Sequence, residues 1–468
     1  MSTPPNTTPP NRTPGITPAS QRGSQTPSPS RAMPSGPIGV AGNQERYIAL
    51  RSRVHQKLLS ALNMDAMKAV NRDRLRSEVQ RVVEGILRED RLPVTMAERY
   101  RLVEEILDEV FGLGPLEPLL KDPNISDILV NTHKHVFIEK HGKLIETNIR
   151  FKDDKHLLHV IEKIVNSVGR RIDESVPLVD ARLADGSRVN AIIPPLAVDG
   201  PSLSIRRFGR KVISNEDMLV NKTMSPSMME FLRACVQGRM NIVVSGGTGS
   251  GKTTFLNCLS RFIPEDERVV TIEDTAELQL QVENALSFET RPPNIEGKGM
   301  VTQRQLLMTA LRMRPDRILL GEVRGGEALD MLQAMGTGVE GSMTTVHANT
   351  PADAFSRLET MVMMAKLDLP SKFVRQQMAS VVHMLVQTAR FSDGTRKVTA
   401  IAEVDGIANN EFLVHTVFEF HRTGLRSDGH VEGIFRCLGA SAKLIERLRL
   451  AGQTLPEGLL TPRDEVVV

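Results

Sequence analysis

Short hydrophobic runs alternate with helical patterns over the carboxy-terminal half of the chain. Runs rich in β-branched residues predict strands at 241–245, 269–272, 317–320 and 342–346, with helical periodicity between them. Such alternation is typical of a parallel sheet covered by helices. Each predicted strand is followed at once by polar residues or glycine. Because ligands of open α/β sheets bind outside the carboxyl ends of the strands, chemistry is expected at these four junctions.

The amino-terminal half is patterned differently. Apolar residues recur at spacings of three and four along 97–111 and 157–168, which predicts amphipathic helices. Strand-like runs at 127–130 and 136–138 precede the second helix, and more strands follow it through Ile192. We therefore predict an α/β protein in which a parallel-sheet domain is preceded by a smaller α+β domain and an N-terminal helical region. The predicted parts are a Pro/Ser/Thr-rich tail at 1–44, the helical region at 45–112, the α+β domain at 113–211, a linker at 212–224 and the parallel-sheet domain at 225–468.

The tail accounts for the net charge. Residues 1–41 hold ten of the chain's 27 prolines and almost no large apolar side chains. Such a segment buries too little surface to offset the entropy of ordering, so we predict a disordered tether, with a polyproline ligand as the alternative. The chain has 59 basic and 56 acidic residues, and residues 1–44 carry three arginines and no acid. The rest of the chain is therefore balanced in charge.

Composition argues against several classes of protein. Aromatic residues make up 4% of the chain, with no Trp and two Tyr, which disfavours recognition of stacked bases. The cysteines, Cys235, Cys258 and Cys437, lie far apart and show no metal-binding spacing, so a reducing compartment fits. No apolar run approaches the roughly 18 residues that cross a bilayer, and no hydrophobic signal segment is found. We expect a soluble, cytoplasmic protein.

The first junction carries a phosphate-binding motif. Gly246-Gly-Thr-Gly-Ser-Gly-Lys-Thr253 is a complete match to GxxxxGK[ST] between a predicted strand and a predicted helix. Glycines let backbone N–H groups wrap phosphates, and the start of the following helix adds its dipole. Lys252 would meet the β- and γ-phosphates, and Thr253 would hold Mg²⁺. We predict an ATP site formed by Gly246, Gly247, Thr248, Gly249, Ser250, Gly251, Lys252, Thr253 and Thr254.

The second and third junctions carry acids. Two adjacent acids, beginning with Glu273, follow strand 269–272; alone they suggest a solvated turn, but their place beside the phosphate loop favours a functional role. Strand 317–320 is followed by Gly321 and Glu322, which resembles a Walker B strand with glycine where an Asp is usual. A carboxylate there can hold the metal through water or orient the attacking water.

The fourth junction places His347 directly after strand 342–346. A lone histidine is more often structural, but one at this edge could report on the γ-phosphate. The segment Gly336-Thr-Gly-Val-Glu-Gly341 fits GxGxxG, yet it follows a helix and precedes a strand, the reverse of the dinucleotide-binding order. We interpret that segment as a loop.

A basic run near the end of the α+β domain comprises Arg206, Arg207, Arg210 and Lys211. It is compatible with a solvated cluster, a nucleic-acid patch, or arginines delivered to phosphates. Alternation along 203–208 puts Arg206 and Arg207 on opposite faces, so at most one of them is expected to serve a single site. An arginine that reaches the phosphates accelerates nucleotide hydrolysis by roughly 10³- to 10⁵-fold, so the third interpretation predicts a large effect of mutating it.

Together these motifs resemble the secretion ATPase superfamily of type II and type IV systems, most closely the CpaF-type motors of tight-adherence (Flp) pili. The resemblance covers about residues 100–440. It is carried by the phosphate loop and by the segments Gly112-Leu-Gly-Pro-Leu-Glu-Pro-Leu-Leu120, Asp180-Ala-Arg-Leu-Ala-Asp-Gly-Ser-Arg-Val-Asn190, Leu203-Ser-Ile-Arg-Arg-Phe208, Thr271-Ile-Glu-Asp274, Gly321-Glu-Val-Arg-Gly-Gly326 and Thr345-Val-His-Ala-Asn349.

The resemblance implies that residues 225–468 form a RecA-like P-loop motor domain. It also implies a ring-shaped homo-hexamer of two-domain subunits with ATP held between them. It implies that Glu273 matches the acidic-box glutamate proposed to activate water and that Glu322 matches the Walker B glutamate, with Mg²⁺ held at Thr253 and through water at Glu322. Three arginines are implied to reach the phosphates, foremost Arg206 and then Arg182 and Arg188. His347 falls in the family's histidine box.

Two departures from the family pattern narrow the resemblance. Val339 stands where relatives usually carry another histidine, so a mechanism that needs two histidines is not supported. The missing tetracysteine motif argues against the type II secretion and type IV pilus extension branches, which often bear a zinc-binding insert.

We therefore predict an ATPase that moves its amino-terminal domain against the motor domain during pilus assembly, retraction or secretion. The resemblance implies inner-membrane platform proteins as partners, a cytoplasmic location peripheral to the inner membrane, and no nucleic acid. Two other classes remain open. A nucleic-acid translocase on the same motor is slightly favoured by the basic run but opposed by the neutral body and scarce aromatics. A nucleotide-regulated scaffold would turn over slowly or not at all.

Overall fold

A computed structural model of the chain describes residues 72–89, 95–140, 142–207, 213–293, 297–365 and 369–467. The chain divides into two units, residues 1–106 and residues 107–468. The predicted tail at 1–44 and the first part of the predicted helical region lie outside the described residues. Among the residues that are described, none of the helices combines the length and apolar character needed to cross a membrane.

The first unit contains helix α1 (Arg72–Glu89) and most of helix α2 (Met96–Phe111), which confirms the amphipathic helix predicted at 97–111. Thr95 and Glu98 form a reciprocal cap at the start of α2, because each backbone N–H is accepted by the other's side chain. The buried side chains of both helices follow the spacing of three and four: Val79, Val83, Ile86, Leu102, Val103 and Ile106.

The second unit begins with a small α+β domain built on a six-stranded antiparallel sheet, in the order β3-β2-β1-β6-β5-β4. Its helix α4 is capped by Asp153, whose carboxylate accepts the His156 N–H, and its apolar face packs on the sheet. The elements of this domain are α3 (Glu117–Lys121), β1 (Ile125–Val130), β2 (Val136–Lys140), β3 (Lys143–Glu146), α4 (Asp154–Ser167), β4 (Leu178–Arg182), β5 (Arg188–Ile192) and β6 (Ser202–Arg206).

The predicted linker at 212–224 contains a short helix in its described part. Residues 213–224 contain helix α5 (Asn215–Val220), which starts with a capping box between Ser214 and Asp217. Met218 and Met224 are buried in the same apolar cluster as the next helix, α6 (Pro226–Gln237). The sequence pattern looked like a linker because this polar helix is short and buries few side chains.

The motor domain is built on a ten-stranded sheet in the order β16-β15-β14-β13-β12-β7-β11-β10-β8-β9. The strands from β12 to β9 in this order run parallel, and β13 to β16 extend the sheet with antiparallel pairing. The strands are β7 (Ile242–Gly246), β8 (Val269–Glu273), β9 (Ala285–Glu289), β10 (Arg317–Leu320), β11 (Met343–Val346), β12 (Met384–Arg390), β13 (Arg396–Ala408), β14 (Glu411–Leu425), β15 (Val431–Cys437) and β16 (Arg463–Val467).

Helices cover both faces of the parallel part of this sheet. Ile242 and Val244 of β7 lie in one apolar cluster, and Val243 between them lies in the other, as expected for a strand that is buried on both faces. The helices are α7 (Lys252–Ser260), α8 (Gln303–Ala310), α9 (Glu327–Gly336), α10 (Pro351–Met363), α11 (Ser371–Val381) and α12 (Ala442–Leu450). The predicted α/β class, with a RecA-like domain after a smaller α+β domain, is confirmed.

All four strands predicted in the motor domain are present within one residue at each end, and they are neighbours in space. Strand β7 lies between β12 and β11, and β10 lies between β11 and β8. Their carboxyl ends therefore meet at one edge of the sheet, as the sequence predicted.

Candidate functional site

The phosphate-loop motif forms a tight turn between β7 and α7. Gly249 and Gly251 have φ values of +70° and +91°, a left-handed conformation that side chains disfavour. Gly246 is required for a different reason, because a Cβ there would collide with the hydroxyls of Ser250 and Thr388. The loop is thus shaped by its glycines, and its N–H groups lie where helix α7 begins.

Lys252 is the first residue of α7, and its ammonium donates to the Gly247 carbonyl over 3.2 Å. Burial lowers the pKa of this ammonium; Glu322 opposes that shift, and Arg324 and Arg206 reinforce it. The three predicted site residues Lys252, Glu322 and Arg206 therefore lie close enough to interact electrostatically. Thr253 and Thr254 follow in the first turn of α7 and are half-buried.

Glu273 ends strand β8 and is 3% exposed. Its carboxylate accepts the backbone N–H groups of Glu277 and Leu278 over 3.0 to 3.2 Å. Burial raises the pKa of Glu273 to about 7, although these hydrogen bonds oppose the shift. A carboxyl that titrates near neutrality matches what a general base requires, and the two N–H donors fix its orientation.

The glycine that replaces the usual Walker B aspartate has a steric reason. A Cβ on Gly321 would lie 2.8 Å from Cγ of Glu273, on the neighbouring strand. That distance is shorter than real Cβ contacts permit, so a side chain at 321 would displace Glu273. The two positions are therefore coupled, and the first acid after this strand is the next residue, Glu322.

Glu322 belongs to a charged network that the sequence did not reveal. Arg324 donates two hydrogen bonds to the same oxygen of Glu322, over 3.0 and 2.6 Å, and a third to Asp274 over 3.0 Å. Asp274 also accepts the Gln303 side-chain amide over 2.9 Å. This arginine joins one carboxylate from each of two neighbouring strand ends and offsets part of their negative charge.

Arg206 and Arg207 contact different parts of the small domain, as strand alternation predicted. Arg206 forms a 3.3 Å ion pair with Asp127 and keeps 58% of its side chain exposed. Arg207 donates to the Asp122 carbonyl. Arg206 is thus the member of the pair whose charge contributes to the lowered pKa of Lys252. The remaining basic residues of this run, Arg210 and Lys211, lie outside the described residues.

Arg182 and Arg188 reach from the small domain to the loop that follows β8. Arg182 forms a 2.6 Å ion pair with Glu289 and donates to the Ala276 carbonyl over 3.1 Å. Arg188 forms a 2.9 Å ion pair with Glu277, whose backbone N–H binds Glu273. These two arginines therefore contact the segment that orients Glu273, rather than the phosphate loop itself.

His347 follows β11 and is half-buried, at the same edge of the sheet. Gln387 of β12 donates its amide to the carbonyls of Ala348 and Asn349, over 3.2 and 3.1 Å. The adjacent Thr388 lies 3.0 Å from the Ser250 hydroxyl of the phosphate loop. Consecutive residues of β12 thus support both the segment after His347 and the phosphate loop. Val339, where relatives usually carry a histidine, is buried in the apolar core.

The side chains at this edge suit ATP and Mg²⁺ by their chemistry. The loop offers N–H groups at the start of α7, and a Cβ on Gly246 would displace the Ser250 and Thr388 hydroxyls that pack against the loop. Lys252 supplies a cation, and Thr253 and Glu322 supply hard oxygen ligands of the kind that Mg²⁺ prefers alongside phosphates. Four residues of this edge were given no role from the sequence: Arg324, Gln303, Gln387 and Thr388. Arg324 lies in the quoted segment 321–326, whereas the other three come from separate elements and form no motif with the loop.

Glu273 makes stability depend on pH. Its pKa of about 7 in the folded protein lies above its ordinary value of 4.5, so the folded state holds more protons between these values. The stability that this proton contributes is present below pH 4.5 and is lost as the pH rises through 7. Glu273→Gln removes the titration and should flatten the stability profile by up to about 3 kcal/mol between pH 5 and pH 8.

Urea denaturation of both proteins at pH 5 and pH 8 measures this effect. The exposed Glu457→Gln provides the control, and its profile should follow the wild type. Equal slopes for the wild type and Glu273→Gln would contradict the buried, protonated carboxyl.

The fold and the site define a RecA-like protein with a P-loop nucleotide site. A central parallel sheet carries the complete loop motif at the end of β7, and acids follow β8 and β10 at the same edge. The loop therefore has both the sequence and the strand-turn-helix context that phosphate binding requires.

The chain belongs to the family described as type II/IV secretion system protein, whose model matches residues 109–409. The model of the type II secretion system protein E N-terminal domain matches residues 47–111. A Mycobacterium tuberculosis protein, named provisionally as a conjugal transfer protein, is 36% identical to this chain over 326 residues. The match covers 68% of this chain and 91% of that protein. Conjugal transfer protein TrbB of Rhizobium radiobacter is 33% identical to this chain, and the match covers 71% of this chain and 97% of that protein.

Among solved structures, the VirB11 ATPase from the Brucella suis type IV secretion system, in complex with sulphate, is 32% identical to this chain. The match covers 64% of this chain and 95% of that structure, with a TM-score of 0.34. The family match and the relatives of 36% and 33% identity confirm the superfamily predicted from the sequence at the level of the type II/IV secretion family.

Proposed function

We propose that this chain is an ATP-hydrolysing motor for a pilus or secretion machine. The observation that carries the proposal is the edge where β7, β8 and β10 end. There Lys252 of the phosphate loop begins α7, Glu273 ends β8, and Arg324 holds Glu322 just after β10. Membership of the type II/IV secretion family supports the same activity.

In this proposal each group has one task. The loop N–H groups and Lys252 bind the β- and γ-phosphates, and Thr253 and Glu322 hold Mg²⁺, Glu322 through water. Glu273, with its pKa near neutrality, accepts the proton of the attacking water. Arg206 exchanges its partner Asp127 for the phosphates and stabilises the charge of the transition state. His347 lies where a contact with the γ-phosphate would distinguish ATP from ADP.

The proposed movement uses the charged contacts between the small domain and the motor domain. Arg182 and Arg188 hold Glu289 and Glu277 through ion pairs, and Arg188 adds a 3.3 Å hydrogen bond to the Thr275 carbonyl. Both arginines are candidates for phosphate contacts once the small domain shifts. A site completed by groups from another domain closes when the triphosphate is bound, so hydrolysis allows it to reopen.

The proposed assembly is a homo-hexamer that docks on inner-membrane platform proteins from the cytoplasmic side. This part rests on the family resemblance. Within the family, the CpaF-type tight-adherence branch was our prediction from sequence, whereas the relatives reported above have conjugal-transfer and type IV secretion names. We therefore propose a motor of the broader family. The machine on which it docks determines whether it drives extension, retraction or secretion.

Purified full-length protein tests the proposal directly. We expect Mg²⁺-dependent release of phosphate from ATP, no more than twofold stimulation by DNA across a salt series, and a mass near six subunits in light scattering with ATP. Stimulation of tenfold or more by DNA, lost at high salt, would favour the nucleic-acid translocase. Binding of ATP with no phosphate release in a single turnover would favour the nucleotide-regulated scaffold.

A further inference from the structure

Three charged residues from two domains meet beside the phosphate loop. Arg390 ends β12 and Arg396 begins β13, and the two are directly paired across this hairpin. Glu139 of β2, in the small domain, lies 3.2 Å from Arg390 and 4.0 Å from Arg396, and is 15% exposed. Like charges directly opposite each other on a sheet are destabilising, so Glu139 supplies the charge that lets both arginines face the same way.

The two domains also touch through their turns at this point. The β2–β3 turn contains Gly142, which has a φ of +77°, and the β12–β13 turn contains Gly394. A Cβ on Gly142 would lie 3.2 Å from both Cα and the carbonyl oxygen of Gly394, and the Gly142 carbonyl accepts a hydrogen bond from Arg390. Glu139 is therefore held in place by backbone contact, as well as by charge.

Arg396 continues from this contact to the phosphate loop. Its Nε–H donates to the carbonyl of Gly249 over 2.8 Å. Because a trans peptide is planar, a carbonyl fixed towards Arg396 directs the N–H of Ser250 to the opposite side. That N–H donates to the Gly247 carbonyl over 3.3 Å, within the loop whose N–H groups are proposed to wrap phosphates. Arg396 therefore fixes the orientation of the Gly249–Ser250 peptide of this loop. Burial and the adjacent Arg390 lower the pKa of Arg396, and Glu139 opposes this shift.

We propose that Glu139 is a positioning residue for nucleotide binding. It holds Arg396 against Gly249, so docking of the small domain shapes the phosphate loop. The inference rests on the proposed function in that the loop is taken to bind ATP. Coupling of this kind is reciprocal, so the bound nucleotide also strengthens the contact between the β2–β3 turn and the motor domain.

The test measures affinity for a fluorescent ADP analogue, mant-ADP, with Mg²⁺ and full-length protein. In Glu139→Gln the two arginines lose their shared counter-charge, and the Kd should rise about three- to tenfold. Arg396→Gln should weaken binding by a similar factor. The Kd of the double variant should not exceed the larger of the two single-variant Kd values, because both changes break the same contact. In turnover assays the KM for ATP should rise while kcat changes less than twofold.

Glu146→Gln is the matched control. Glu146 lies on β3 of the same hairpin, but its partners His135 and Arg150 belong to the small domain. Its Kd should stay within twofold of the wild type. A Kd for Glu139→Gln that also stays within twofold, or effects that multiply in the double variant, would overturn the proposal.

Failure of this inference can be separated from failure of the proposed function. Wild-type protein that binds mant-ADP without hydrolysing ATP would remove the ATPase proposal, yet the effect of Glu139→Gln on Kd would still decide the positioning role. Wild-type protein that does not bind mant-ADP would overturn both. Arg396→Gln guards against misfolding of Glu139→Gln, because it breaks the same contact from the motor side.

Discussion

Lys252→Ala is expected to abolish nucleotide turnover without lowering stability. The ammonium at the start of α7 is half-buried, its pKa is lowered by burial, and its hydrogen bond is to the Gly247 carbonyl. Truncation removes a desolvated cation that contributes little to the fold, so the melting temperature should stay the same or rise. The same change removes the donor that we propose to meet the β- and γ-phosphates, and kcat should fall by about 10²- to 10³-fold.

The measurement is phosphate release together with a thermal melt of the same samples. Lys372→Ala is the matched control, because it makes the same truncation at an exposed position of α11. Lys252→Arg adds a second comparison: it keeps the charge but presents a planar fork in place of a compact ammonium, and it should restore little activity. Turnover near the wild-type rate in Lys252→Ala would remove the phosphate-loop assignment.

Local sequence was enough to find the parts of the site that follow each parallel strand. The strand at 269–272, the glycines of the phosphate loop and the acids Glu273 and Glu322 were all predicted from runs of a few residues. Such features succeed because strand and turn preferences depend on neighbouring side chains. The apparent exception, Gly321, is explained by contact with Glu273 across the sheet, which no local pattern contains.

The rest of the site depends on pairings that join distant parts of the chain. Strand β12 lies beside β7, and there Thr388 meets Ser250 across 138 residues of sequence. Arg390 and Arg396 reach the phosphate loop only because the hairpin β12–β13 follows that pairing. Hydrophobic periodicity gives no strand order, so these residues could not be placed from sequence. The helix α5 was missed because a short polar helix resembles a linker.

Glu322→Gln is expected to separate nucleotide binding from hydrolysis. The glutamate oxygen accepts two hydrogen bonds from Arg324, and the amide oxygen of glutamine can still accept them, so the fold should persist. The loss of one negative charge leaves Lys252 and Arg324 less compensated. ATP should therefore bind as tightly as to the wild type or more tightly, while kcat falls by about 10²-fold or more. Glu457→Gln again serves as the exposed control.

The role of Glu322 towards the metal can be read from the same variant. If its carboxylate holds Mg²⁺ through water, the wild type should gain affinity for ATP when Mg²⁺ is added, and Glu322→Gln should gain less. If the carboxylate only orients the attacking water, both proteins should respond equally to Mg²⁺ and differ in kcat alone. Titration with mant-ATP, with Mg²⁺ or with EDTA, distinguishes these cases. Hydrolysis at the wild-type rate would transfer the catalytic role to Glu273, the buried carboxyl that titrates near neutrality.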